Sequence, residues 1–292
     1  MKWDIIEHGT NLHSILFEVE PSEEYGIFVC SDLHWDNPKC DRKLLKKHFD
    51  KAKELNVPIF INGDFFCAMQ ARGDKRGNKD DIRPEHNKTN YLDALIDTAV
   101  EWFEPYKDHI VLLGYGNHET SVFKHKETDL LKRFVNRFNA EYGANVKTGG
   151  YGGHLSLKIK ASSSRAYNIK YFHGSGGGGV VTKGVIQNNR MATFIHGVDC
   201  ITQGHVHEAH AHFDVIETLE SRTMTVNKKS LLHLRTPTYK EEYKDQSGGW
   251  HVERGAPPKP LGGCLLKLKV KRYGKNGDKR KIECIPEFWI ST

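Results

Sequence analysis

Five short clusters of this chain carry residues able to bind a cation or move a proton. In chain order they are Asp32 with His34, Gly63-Asp64, Gly116-Asn117-His118-Glu119, His173-Gly174 and Gly204-His205-Val206-His207. Carboxylate, amide oxygen and imidazole make a mixed set of hard oxygen and nitrogen donors. Such a set suits Mn, Fe, Zn or Mg better than Ca or a thiolate-bound metal. Three of the clusters also have a plainer reading on their own, whereas Asn117 beside His118 is a rarer combination. Asp32-x-His34 reads as a surface turn, Gly63-Asp64 as a turn after a strand, and His205 with His207 as alternating side chains on one face of an edge strand. What the clusters share is position, because each follows a short apolar run where a strand would leave a core. Ligands on strand ends converge without conformational entropy being spent on ordering loops.

The elements that position them are legible from periodicity. Residues 26–31 form an apolar run of strand type that delivers Asp32 and His34. Asp41 can cap a helix, and Leu44, Leu45, Phe49, Ala52 and Leu55 recur at helical spacing. Residues 57–62 are a second buried-type strand ending at Gly63-Asp64. A crossover of this length implies parallel strands whose carboxyl ends share one edge, so Asp32 and Asp64 should land side by side. A long polar stretch follows over residues 65–90, in which Arg72, Lys75, Arg76 and Arg83 are candidates to clamp phosphate; Asp74, Asp80, Asp81 and Glu85 balance them as a solvated loop would. Leu92, Leu95, Ile96, Ala99, Trp102 and Phe103 form another apolar stripe. Residues 110–113 read as a third strand, and residues 128–142 as a further helix. From residue 150 the period changes to two, with Leu155, Leu157 and Ile159, then Tyr167, Ile169, Tyr171 and His173. A helix over about 187–196 precedes a short strand at 199–203, and residues 209–292 read as strands separated by polar turns.

At 292 residues the chain can bury a substantial core in a single domain, with its heart at about 26–215 and residues 216–292 completing or decorating a second sheet. No segment approaches the roughly 20 apolar residues needed to cross a bilayer. The first twenty residues mix Lys2, Asp4, Glu7 and Glu18 with apolar ones and lack a leader pattern. The six cysteines contain no C-x-x-C pair, so reduced thiols and a cytoplasmic location are expected. The net charge of +6 is compatible with an anionic substrate. Lysine and arginine over 267–281 alternate with Leu266, Leu268 and Val270, as on a half-buried strand with a basic outer face. Residues 174–179 are glycine-rich but fail the Walker pattern, since Lys183 follows Thr182 and precedes Gly184. A supple backbone passing close to a site after His173 is the simpler reading.

In order and spacing, the five clusters resemble the calcineurin-like metallophosphoesterases, over roughly residues 26–215. The segment 256–263 before a terminal strand resembles the tails of phage-encoded members. The resemblance implies a four-layer αββα sandwich of two mixed β-sheets flanked by helices. It also implies two divalent metal ions, Mn first, with Fe, Zn or Mg as alternatives. Asp32, His34, Asp64 and His207 would hold one ion, and Asp64, Asn117, His173 and His205 the other, with Asp64 as bridge. His118 would protonate the leaving group, oriented by Glu119 or by a backbone acceptor. A hydroxide held between the two ions would be the nucleophile.

The substrate is then a phosphate ester. The run Val-Asp-Arg-Gly found in the protein phosphatases of that superfamily is missing, because Asp64 is followed by Phe65-Phe66-Cys67-Ala68. That departure and the positive charge favour a phosphodiester in DNA, RNA or a small nucleotide. Arg72 and Arg76 are its candidate contacts. A phosphomonoesterase is the alternative, and a scaffold without catalysis is the third reading, although such proteins tend to lose ligands and here every ligand position is filled. The sequence leaves the oligomeric state open.

Overall fold

Strand β3 (Glu24–Cys30) buries side chains on both of its faces. Phe28 and Cys30 enter one core and Ile27 and Val29 another. A strand apolar on both sides must be covered twice, and the layering of the molecule follows from that. The computed structural model describes residues 2–20, 23–68, 81–160, 166–243, 252, 255–273 and 279–291.

The chain opens with a hairpin, β1 (Lys2–Gly9) and β2 (Leu12–Glu18), ahead of β3. Helix α1 (Arg42–Glu54) leads to β4 (Ile59–Asn62), and α2 (Tyr91–Phe103) leads to β5 (Ile110–Gly114). Two helices, α3 (Asn117–Lys126) and α4 (Leu130–Tyr142), precede the short β6 (Lys147–Thr148). Then come β7 (Gly152–Ile159), β8 (Ala166–Phe172), α5 (Val185–Ala192) and β9 (Cys200–Gln203). Two hairpins finish the chain: β10 (His210–Glu220) with β11 (Thr225–Arg235), and β12 (Leu261–Tyr273) with β13 (Lys279–Ser291).

The first sheet has the order β13-β12-β3-β4-β5-β6, and the second β1-β2-β7-β8-β9-β11-β10. Strands β3, β4, β5 and β6 run parallel, so their carboxyl ends share one edge. Leu45, Phe49, Leu95, Phe103 and Phe134 of the helices pack on the outer face of this sheet. Between the sheets, Ile27, Val29, Phe60 and Leu112 meet Leu155, Leu157, Ile169 and Tyr171. Beyond the second sheet, Met191 of α5 packs with Ile201 and Leu231. The result is helix, sheet, sheet, helix, a four-layer αββα sandwich of two mixed sheets, as the resemblance implies.

Local chemistry supports the helices. The Asp41 carboxylate accepts from the Lys43 and Leu44 amides at 3.1 and 2.9 Å and caps α1, an interaction typically worth about 1 kcal/mol. Asp129 does the same for α4 through the Lys132 amide, and Gly143 ends that helix in the left-handed conformation.

Three features differ from the sequence reading. Helix α3 is unexpected because its buried face is His118, Glu119 and Val122 rather than an apolar stripe. The first twenty residues supply the edge of the second sheet through β2, which pairs parallel to β7. Residues 216–292 divide between the sheets: β10 and β11 join the second, while β12 pairs antiparallel with β3 in the first.

Candidate metal centre

The backbone at the strand ends is unusual. Of ten non-glycine residues with positive φ among the described residues, five are Asp32 (53°), His34 (45°), Asp64 (49°), His205 (71°) and His207 (58°). Asp and His tolerate this region better than most residues, yet each instance costs on the order of 1 kcal/mol or more. His205 and His207 therefore stand in a tight loop after β9 and not on the strand expected for them. The core holds these turns in place. The Asp32 amide donates to Gly63 O and the His34 amide to Asp64 O, both at 3.0 Å, so the ends of β3 and β4 clasp each other.

Close approach of backbones makes glycine necessary twice. A Cβ on Gly116 would collide with Asp64 Oδ1 and the Asp64 amide, and one on Gly204 with Ser31 Oγ and Asp32 Oδ2. Both positions carry the chain past a carboxylate at van der Waals distance.

The side chains converge as two adjoining groups. Donor atoms of Asp32, His34 and His207 lie within 4.8 Å of one another, and so do those of Asp64, His173 and His205. In the first group, His207 Nε2 is 3.3 Å from Asp32 Oδ1 and 3.4 Å from His34 Nε2. In the second, His173 Nε2 is 3.2 Å from Asp64 Oδ2. Asn117 Oδ1 joins it, 3.2 Å from His173 Nε2 and 2.7 Å from His205 Nδ1. The groups meet at His173, whose Nε2 also lies 3.9 Å from Asp32 Oδ1. All seven residues proposed as ligands from sequence are thus brought together. Asp32, His34, Asp64, His173 and His207 are buried, and Asn117 and His205 are partly exposed.

Burial and neighbouring charges set the electrostatics of this cluster. Burial opposes ionisation of Asp32, but the close approach of His207 and the charges of His173 and His207 outweigh it, and the carboxyl is held below its usual range. Asp64 is likewise held well down, with His173 and His118 overcoming burial. Burial also opposes a proton on His173, yet the Asp64 carboxylate outweighs it and lifts that imidazole to about 10. His34 is depressed by burial and by His118, and His205 by burial and by His173. Two buried carboxylates thus face the raised imidazole of His173 and the depressed imidazoles of His34 and His205.

A divalent cation fits this donor set. Asp32 Oδ1 is buried without a hydrogen bond, and the His34 and His207 nitrogens point at each other across a gap that one ion could serve. His173 Nδ1 donates to Asn62 O at 2.9 Å, the backbone anchor that turns a ligating imidazole's other nitrogen toward a metal.

No protein-family model matches this chain, and no curated protein matches it. Among solved structures, that of Vps29 from Chaetomium thermophilum is similar over 92% of this chain and 98% of that one, at 10% sequence identity and a TM-score of 0.31. A likeness that slight carries no argument about function.

His118 stands at the first turn of α3, beside the two groups. Its amide donates to Asp64 Oδ1 at 3.0 Å, so the positive end of the helix faces that carboxylate. Its Nδ1 lies 2.6 Å from Cys67 O, which leaves Nε2 3.9 Å from Asp64 Oδ2. Of the two orienting acceptors considered from sequence, the backbone carbonyl is the one in contact. Glu119 instead accepts from the amides of Asp64, Phe66 and Gly116 at 3.2, 2.9 and 2.8 Å. Its carboxyl is pushed up to about 8 by burial and by Asp64.

The remaining candidates are placed differently. Arg72 and Arg76, with Lys75, lie outside the described residues. Arg83 donates from Nε to Asn37 O at 3.0 Å and from Nη2 to Cys40 O at 3.1 Å, so it braces the loop after β3. The 65–68 segment expected to begin a polar loop is buried, with Phe65 and Phe66 in the helical core. Lys267, Lys269 and Lys271 pair with Glu287, Glu24 and Glu283.

Sequence reasoning passed over a supporting layer contributed by the end of β11. Arg235 is fully buried. Its guanidinium donates to Gly204 O at 2.7 Å and Gly184 O at 2.9 Å, tying the His205–His207 loop to the start of α5. Thr238 Oγ1 donates to Asp32 O at 2.8 Å. Ser31 Oγ lies 2.7 Å from Thr236 Oγ1 and donates to Asp32 Oδ2. The available signal was a lone arginine inside the apolar run that starts at Leu231.

Proposed function

We propose that this protein is a metal-dependent hydrolase of phosphate esters, acting on phosphodiesters in DNA, RNA or a small nucleotide. One observation carries the reading: two adjoining buried donor groups, linked through His173, with the imidazole of His118 held beside them. Asp32, His34, Asp64 and His207 would hold one divalent ion, and Asp64, Asn117, His173 and His205 a second, Mn being the first choice. When bound, the ions supply Lewis acidity toward the phosphoryl oxygens and a water acidic enough to act as nucleophile near neutral pH.

The chain's own residues do the rest. Asp32 and Asp64 stay ionised and fix negative charge where cations are needed. The Cys67 carbonyl keeps the proton of His118 on Nδ1 and directs Nε2 to the site, where a protonated ring can give a proton to the departing oxygen. The buried Phe65-Phe66 segment replaces the arginine run of the protein phosphatases, which supports a diester over a phosphoprotein.

Turnover of bis(p-nitrophenyl) phosphate and p-nitrophenyl phosphate with added Mn tests this. The diester should be the better substrate, and chelation should abolish its hydrolysis. A strong preference for the monoester would replace this reading with that of a phosphomonoesterase. Single- and double-stranded DNA and RNA then separate nucleic acid from small nucleotides.

A further inference from the structure

Away from the strand-end centre, one face of the β10–β11 ribbon gathers another set of cation-binding side chains. His210, His212 and Asp214 are two residues apart along β10, so pleating puts all three on one face. His233 of β11 stands directly opposite His212. The two imidazoles stack with centroids 4.5 Å apart and 4° between their planes. His233 Nε2 is 2.9 Å from Asp214 Oδ2, and His212 Nε2 is 3.1 Å from Asn189 Oδ1 of α5. One donor atom from each of His212, Asp214 and His233 lies within 4.8 Å of the others.

An ordinary ion pair between His233 and Asp214 would account for part of this, but not for the rest. His233 is fully buried, yet its Nδ1 has no hydrogen-bond partner, and neither buried ring nitrogen of His210 has one. Burying a ring nitrogen without a partner is unfavourable. Access is also built in: the Asp214 side chain is 49% exposed while that of His233 is closed off, so an ion could enter from the carboxylate side without disturbing the core.

We propose that His212, Asp214 and His233 bind a divalent transition ion of the zinc type, separate from the strand-end centre. Two imidazoles and a carboxylate make a familiar three-ligand set for tetrahedral zinc, with water in the fourth position. His210 lies alongside, its ring centroid 5.7 Å from that of His212. The ion would clamp the ribbon at its root. β11 is joined to β9 only over Leu232–Arg235, beyond which β10 and β11 continue as a two-stranded ribbon, and such ribbons are marginally stable alone. The clamp also falls next to Arg235, which holds the His205–His207 loop.

The experiment is metal analysis by mass spectrometry after equilibration with Zn²⁺ and gel filtration, on the full chain and on the variants His212→Gln and Asp214→Asn. Each variant should carry one ion fewer than the parent. This difference stands whether or not the strand-end centre loads, so it fails independently of the proposed hydrolase. Asp214 and His212 are partly exposed, and both variants should keep the parent's circular dichroism. As a second measurement on the unaltered chain, Co²⁺ should shift the imidazole resonances of His212 and His233. Equal zinc content in parent and variants, or imidazole resonances of His212 and His233 untouched by Co²⁺, would overturn the proposal.

Discussion

At the strand ends, Asp32, His34, Asp64, His205 and His207 all adopt left-handed backbone, whereas His210, His212, Asp214 and His233 sit in regular extended strands. The first cluster draws its oxygens, Asp32, Asp64 and Asn117, from the turns after β3 and β4 and from the first residue of α3, and most of its imidazoles from turns after β8 and β9. The second is made by one hairpin. Strained turns place several donors around a point that no straight strand could surround, but the strain persists only because the packed core over-determines it. A pleated ribbon aligns donors at no such cost and offers fewer of them, all on one side. Pre-organisation suited to catalysis is therefore expected at the strand ends, and adaptable binding at the ribbon.

The sharpest way to break this contrast is Asp64→Ala. It should empty the strand-end centre and lower diester turnover on the order of 10³-fold, equivalent to about 4 kcal/mol of transition-state stabilisation. The ribbon ion should stay. Full metal occupancy in that variant would remove Asp64 from the bridging role. Next in size, His118→Asn should cost about 10²–10⁴-fold in turnover while metal content is unchanged. Loss of metal there instead would make His118 a ligand rather than a proton donor.

A smaller effect concerns the turns themselves. Gly204→Ala drives a methyl into Ser31 and Asp32 and should destabilise by about 1–3 kcal/mol. Asp214→Asn, on an exposed strand, should stay within about 0.5 kcal/mol in the metal-free protein. Chemical denaturation of both variants checks the pair; equal cost would mean that the strand-end turns are no more constrained than the ribbon.

How much of this was legible follows from where information is local. The apolar runs before Asp32, Asp64 and Asn117, and the helical stripe from Leu44 to Leu55, state their own structure. Parallel crossovers then force the carboxylates together, so most of the centre could be assembled from short-range pattern. The left-handed turns at His205 and His207 could not, because Asp and His adopt that conformation only when long-range packing demands it. Helix α3 was hidden since its inward face is the polar pair His118 and Glu119. The pairing of β12 with β3 joins residues more than two hundred positions apart, and no local period encodes it. Arg235 and the His210-x-His212-x-Asp214 alternation were visible as residues, but their meaning depends on which strand lies beside them.

The comparison also has a pH signature, and its sign differs between the two regions. In the metal-free protein His173 titrates at about 10, against an ordinary imidazole value of 6.5, because the Asp64 carboxylate outweighs burial. Its folded value is raised, so the stability it confers is fully present below about 6.5 and is lost as pH climbs toward about 10. At the ribbon, burial and the nearby Arg235 charge depress His210 to about 4, and burial and His212 lower His233. Folding there excludes protons, so stability is lost as pH falls below about 6.5. Thermal denaturation of metal-free protein should show the advantage of the parent over His173→Asn shrinking between pH 6.5 and 9.5. The advantage of His210→Gln over the parent should grow between pH 6.5 and 4.5. Saturating metal should flatten the first trend, since an ion in the strand-end centre takes the place of the His173 proton. A parent advantage over His173→Asn that stays constant across the alkaline window would mean that His173 is neutral beside Asp64, and that the two carboxylates are balanced by another group.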